Sequence, residues 1–250
     1  MSKPLLTIII VLGTCLTPLI GSNTFYNDFK EQQNHHVILA PRHKTMLSSE
    51  VASVIKMVSK KMGEPFKEGE VLIQLDDAVF RGQHSKAQAE VQRAETDLNA
   101  KQQLFNDGAA SLAELKEAEA QVASAHAELI LAEKNLNSCT LKAPYAGKVV
   151  NLNFEEHELV QPGEELIEIV DDAILVAKFL LPSVFLNRIN IDDTIDIFIK
   201  EANLTVPATI KRISAVIDPS SSTIKVDAEV DNTTQKLKSG MTGTLTMTNP

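Results

Sequence analysis

The stretch from Phe80 to Leu136 carries a seven-residue repeat that commits it to one kind of structure. Phe80, His84, Ala87, Val91, Ala94, Leu98, Lys101 and Phe105 follow at steps of four and three. Leu115, Ala118, Val122, Ala125, Leu129, Ala132 and Leu136 follow at steps of three and four. A seam with an average period of ~3.5 buries its stripe only against another helix. Large residues alternate with Ala along much of each arm, which lets the axes approach to the lower end of the usual ~8–10 Å range. Between the arms lies Asn106-Asp107-Gly108-Ala109-Ala110-Ser111. Gly108 can take the left-handed conformation that closes a helix, and Ser111 with Glu114 makes a Ser-x-x-Glu capping box. The prediction is an antiparallel helical hairpin with arms of roughly 40 Å at ~1.5 Å per residue.

At 250 residues the chain has room for one or two compact domains. Its 24 basic and 33 acidic residues give a net charge of −9, and no basic block breaks that balance. Phosphate binding needs clustered Lys and Arg, so nucleic acid is not an expected partner. Aromatics are 4% with no Trp, which also argues against a stacking platform for bases or sugars. After Met1-Ser2-Lys3 an uncharged, mostly apolar run from Leu5 to Gly21 precedes polar chain. Residues 1–22 therefore read as a signal peptide or an N-terminal membrane anchor, and either reading exports the remainder. Of the two cysteines, Cys15 lies in that run and Cys139 at the end of the second arm. No disulfide is expected, and Cys139 reads as a small apolar filler.

The flanks of the hairpin resemble each other. Met62 to Leu75 is matched ninety-four residues on by Glu156 to Ile169, with Gly69 and Leu72 answering Gly163 and Leu166. A short β-run, Val54-Ile55 or Lys148-Val149-Val150, precedes each copy. Each half reads strand, turn, strand, so one β-domain built of two like halves is interrupted by the hairpin. Upstream, Val37-Ile38-Leu39-Ala40 is a strand that Pro41 is expected to stop. Downstream, Ile174–Phe179, Thr194–Lys200, Leu204–Ile213 and Thr223–Asp231 read as strands, with a short helix over Ser183–Ile189 after Pro182. In the last strand Ile224, Val226, Ala228 and Val230 alternate with charged residues, the pattern of a half-buried antiparallel strand. These strands predict a small β-barrel.

Lys67-Glu68-Gly69-Glu70-Val71-Leu72 with Leu75-Asp76-Asp77, and Leu141-Lys142-Ala143-Pro144-Tyr145-Ala146-Gly147-Lys148-Val149, carry a family resemblance. They are similar to the biotinyl/lipoyl-type sandwich of periplasmic adaptors, or membrane fusion proteins, of HlyD/RND-type efflux and secretion systems. Ser53 stands where that pattern usually has Gly. Asp218-Pro219, Thr223, the strand to Asn232 and Leu237-Lys238-Ser239-Gly240-Met241 resemble the adaptors' barrel segment, with Ser222 in place of a frequent Arg. The resemblance spans about residues 37–249. It implies a mainly β fold with an inserted α-helical hairpin: a barrel-sandwich hybrid from 37–77 plus 140–172, a coiled-coil hairpin over 78–138, and a β-barrel over 173–250. True carriers bear a modified Lys on the tight turn between halves. Here Asp76-Asp77 leads straight into a helix, so neither a swinging arm nor any other cofactor is expected. The sequence ends just after the barrel segment, so the membrane-proximal domain of many proton-driven pump adaptors is not expected either.

No catalytic set emerges, and no enzyme activity is expected. The neighbouring His35-His36 reads as a solvated segment before the first strand, and Met46, Met57 and Met62 as packing residues rather than soft-metal ligands. Channel-docking adaptors resemble one another in an Arg, Leu and Ser set at the hairpin tip. Leu104 and Ser111 match its Leu-x6-Ser spacing about Gly108, while Ala100 falls at the Arg position with Lys101 alongside. The resemblance implies a periplasmic, inner-membrane-associated adaptor. Its expected partners are an RND- or ABC-type inner-membrane transporter, an outer-membrane channel and further copies of itself. The alternative is an exported coiled-coil scaffold that binds another envelope protein without transport.

Overall fold

A computed structural model describes residues 32–248. The signal or anchor expected over 1–22, with Cys15, lies outside the described residues. Twelve strands and two helices follow in the order β1 Gln32–Ser48, β2 Ser53–Val58, β3 Pro65–Phe66, β4 Val71–Leu75, α1 Ala78–Asn106, α2 Leu112–Asn137, β5 Thr140–Lys142, β6 Gly147–Leu152, β7 Leu159–Val160, β8 Glu165–Pro182, β9 Thr194–Ile199, β10 Leu204–Asp218, β11 Thr223–Asp231 and β12 Thr242–Thr248. A short 3-10 helix, Ser183–Arg188, separates β8 from β9. The fold is mainly β with an inserted helical hairpin.

The two like halves pair under a pseudo-twofold, and the ninety-four-residue offset holds strand for strand. Adding it carries β2 onto β6, β3 onto β7, and β4 onto the start of β8. Each half closes on the other. Ser53 and Val54 of the first half pair with Val160 and Leu159, as Phe66 and Pro65 pair with Gly147 and Lys148. The turns repeat too: Glu70 and Glu164 accept from the backbone N–H of Lys67 and Gln161. Even the backbone strain is shared, since His157 (φ 74°) occupies the place of Gly63 (φ 85°). Val51, Ile55, Phe66, Leu72, Leu75, Val149, Leu166, Ile167 and Ile169 fill the core between the sheets.

Ser53, which departs from the family pattern, is the pseudo-twofold mate of Gly147. A Cβ on Gly147 would lie 2.1 Å from the Val170 carbonyl oxygen, so a side chain at that site requires the neighbouring backbone to move. Ninety-four residues earlier the equivalent carbonyl belongs to Asp76. There the Ser53 hydroxyl donates to it over 2.7 Å. The first half thus has a hydrogen bond where the second has bare close contact.

Strands β1-β12-β9-β10-β11-β8 form a ring closed by a β1–β8 pairing, and β8 continues through β6 and β3 into the sandwich. The even positions 224–230 of β11 point into the ring, as the alternation predicts. Three sequence expectations need correction here. Pro41 does not stop the first strand: β1 runs on to Ser48, and a register shift between Pro41 and His43 absorbs the missing N–H. Residues 37–41 pair with β8 inside the ring, so Val37 and Leu39 pack in the barrel core rather than the sandwich. His35 and His36 lie within β1 rather than ahead of it. His35 is buried edge-on against Phe185, with Nε2 unpartnered, and His36 faces outward.

Candidate functional site: the hairpin and its tip

Every position of the sequence seam, from Phe80 to Phe105 and from Leu115 to Leu136, is buried or half-buried. Val91, Ala94 and Ala125 form its centre, with Val122 and Leu129 packed against them. Polar contacts flank the stripe, His126 to Glu95 at 3.3 Å and Lys101 to Glu114 at 3.8 Å. Lys101 keeps its seam position half-buried while its ammonium reaches Glu114 on the other arm.

At the root the two arms spring from neighbouring strands, since β4 pairs with β5. The Leu75 N–H donates to the Cys139 carbonyl, and Gln74 bridges Cys139 and Thr140 through its side-chain amide. Lys134 of α2 and Ser138, which caps its C-terminus, both bind the Glu50 carboxylate, fastening the helix to the segment after β1. The Lys134 and Ser138 hydrogen bonds hold the Glu50 carboxyl below its ordinary value. Cys139 is buried and unpaired, and burial raises its thiol pKa, which fits an inert filler.

At the tip, Gly108 has φ 73°, and the N–H groups of Ala109 and Ala110 both donate to the Leu104 carbonyl. Ser111 then opens α2 with both halves of the capping box present. Its Oγ accepts from the Glu114 N–H at 3.2 Å, and Glu114 accepts from the Ser111 N–H at 2.7 Å. These Ser111 bonds, with Lys101 nearby, depress the Glu114 pKa. Leu104 is 44% exposed and Leu112 58%. The structure therefore brings Leu104, Gly108 and Ser111 together at one end. Leu112, which the sequence reading passed over, completes an apolar pair there. Ala100 is exposed and offers no cation at the position where the resembling adaptors carry Arg, because Lys101 turns toward Glu114. Among the described residues no group of three or more His, Cys, Asp or Glu is placed to hold a metal.

Residues 76–146 match the family described as "RND MFP, alpha-helical hairpin domain". An uncharacterized protein of Haemophilus influenzae is 27% identical over 82% of this chain and 54% of its own length. The antibiotic efflux pump periplasmic linker protein ArpA of Pseudomonas putida is 31% identical over 42% of the chain and 28% of its own. The structure of a membrane fusion protein from Streptococcus pneumoniae superposes with a TM-score of 0.69 at 18% identity, covering 87% of this chain and 100% of that one. The chain spans about half the length of the first curated relatives it matches. Hairpin and fold together are those of a membrane fusion protein. Residues 76–146 are a hairpin of the RND MFP type, and the remaining described residues share the fold of membrane fusion protein structures.

Proposed function

We propose that this chain links an inner-membrane transporter, of RND or ABC type, to an outer-membrane channel, and that it contributes assembly and sealing rather than bond chemistry. The observation that carries the reading is the tip, where exposed Leu104 and Leu112 flank a turn held by Gly108 and the Ser111 box. A small convex apolar end on a stiff arm suits docking into the helical end of a channel. Location in the periplasm beside the inner membrane, and association of several copies, follow from the same reading. No helix among the described residues is long and apolar enough to cross a membrane.

The test is in cells that depend on this protein for export. Leu104→Ser and Ser111→Arg are expected to abolish transport and crosslinking to the channel at normal protein level. Docking hot spots lose about 2 kcal/mol or more on truncation, while loss of the Ser111 cap costs only about 1 kcal/mol of stability. Asp97→Asn, on the first arm away from the tip, is the control. Full transport by both tip variants overturns the docking assignment. A crosslinked pull-down holding an envelope protein but no transporter would favour the scaffold instead.

A further inference from the structure

A groove of about 930 Å³ runs over the outer face of the barrel, far in sequence from the hairpin. Cross-strand register builds it. Ile38 of β1 pairs with Lys178 of β8, Lys178 with Asp227 of β11, and Asp227 with Arg212 of β10. On the same face Leu180 pairs with Lys225. Ile191, from the loop after the 3-10 helix, lines the groove at 61% exposure, beside Ile38 at 48% and Leu180 at 49%. Large apolar side chains exposed together on one concave surface are uncommon on a soluble protein and mark a binding site.

The charges around this apolar floor are unbalanced. Arg212 is taken by Asp227, at 3.2 Å from Nε and 3.1 Å from Nη2, and Lys211 by Asp192 at 2.6 Å. Lys178 stands opposite Asp227 in the ladder, but that carboxylate is already engaged by Arg212. Neither Lys178 nor Lys225 makes an ion pair among the described residues. Two ammonium groups without a contact ion pair therefore border the apolar floor, Lys225 having only the longer-range field of Asp218, on a chain whose net charge is −9.

We infer that this groove binds a small single-chain amphiphilic anion, its hydrocarbon lying over Ile38, Leu180 and Ile191 and its head group against Lys178 and Lys225. An apolar cation would meet four positive side chains. Residues 175–179 of β8 pair with β1 on one side and β11 on the other, so an added peptide strand finds no opening along that stretch. The lining holds no exposed Phe, Tyr or Trp face that would stack a base or a sugar; its one exposed ring is the His36 imidazole.

The full chain is titrated calorimetrically with sodium decanoate below its micellisation, in the presence of phosphatidylcholine nanodiscs, with empty nanodiscs as the blank. Saturable one-to-one binding is expected. Lys178→Glu with Lys225→Glu should weaken it by about tenfold or more, the loss of two favourable charge contacts. Leu180→Asp should do the same by spoiling the floor. Lys236→Glu changes charge away from the groove and should leave binding intact. Decyltrimethylammonium, with the same tail and opposite charge, should not saturate. Equal affinity in the double variant and the Lys236 control overturns the inference, as does the absence of saturable heat. Decanoate binding that disappears in phosphatidylglycerol nanodiscs also overturns it, and assigns the groove to membrane lipid. Every readout is binding, so failure here leaves the channel-docking test untouched.

Discussion

Gly147→Ala separates steric exclusion from every other role of that residue. Gly147 does not use a left-handed backbone, so Ala adds only a methyl group. That carbon would sit 2.1 Å from the Val170 carbonyl oxygen, 2.9 Å from its carbon and 3.3 Å from the Phe66 ring. Ordinary contact begins more than an ångström farther out, and the obstacle is backbone of the adjacent strand rather than a side chain that can rotate. β6 must move away from β8 beside the Lys148–Val170 pair, and Phe66 must shift in the core. Overpacking of this kind costs about 1–3 kcal/mol. Replacing Gly returns about 0.4–1 kcal/mol by restricting the unfolded chain. The net loss, taken at the upper end because backbone must move, is about 2 kcal/mol. For a β-body of this size that lowers Tm by roughly 4–8 °C. The pseudo-twofold supplies the comparison. Ser53→Ala keeps the Cβ already accommodated there and loses one exposed hydrogen bond, about 0.5–1 kcal/mol. Thermal melting followed by circular dichroism at a β-sheet wavelength reads both variants. A Gly147→Ala protein that melts with wild type, or above Ser53→Ala, would show that the close approach to Val170 does not limit this site.

Leu129→Asp should destabilise the hairpin by several kcal/mol, roughly the cost of an unpaired buried charge, with Ala125→Glu comparable and the exposed Gln121→Glu silent; three alike helical melts would refute the seam register. Replacing Ala78–Asn137 by a short Gly-rich turn should leave a folded sandwich, because β4 and β5 already lie side by side; loss of the β-type circular dichroism signal in a soluble product would refute the insertion. Burial lowers the His35 pKa from 6.5, so the folded state favours the neutral ring and the unfolded state binds the extra proton. Stability should therefore fall as pH drops below about 6.5, and His35→Leu should flatten that slope in melts between pH 8 and pH 5; an unchanged slope refutes it.

The local part of this fold was legible. The seam needs only side-chain period, and each of its positions proved buried or half-buried because a hairpin of two arms has one face to hide. The repeat was legible through Gly69 and Gly163, and the structure extends it to every strand of the half. Four features were hidden for different reasons. Pro41 reads as a breaker because a propensity cannot see that a register shift will leave its missing N–H unused. His157 gives no turn signal of its own, although aligning it on Gly63 would have exposed its left-handed conformation. The groove is invisible in sequence because Ile38, Lys178, Asp227 and Arg212 become neighbours only through three successive strand pairings. At the tip, the spacing of Leu104 and Ser111 was readable, but Leu112 was not, since it falls outside both the seam and the family's set.

The pseudo-twofold also accounts for where the two appendages leave the sandwich. In the first half, β4 ends at Leu75 and the chain turns into α1, with Asp76 accepting from the Ala78 N–H. Ninety-four residues on, Ile169 holds the place of Leu75, yet there β8 continues without a break to Pro182 and into the barrel. One structural exit thus serves the hairpin in one copy and the barrel in the other. Neither appendage interrupts the pairing of the halves, because both begin where the repeated unit ends. The hairpin returns to a strand beside the one it left, and Glu50 ties its second arm down with Lys134 and Ser138. The barrel is joined by two strands, β1 and β8, that run through both bodies. A lever fixed at its root to one such exit, and a barrel fixed by a double strand to the other, can transmit a load between their far ends through the sandwich core. That continuity is what the proposed link between two partners would require of the protein's middle.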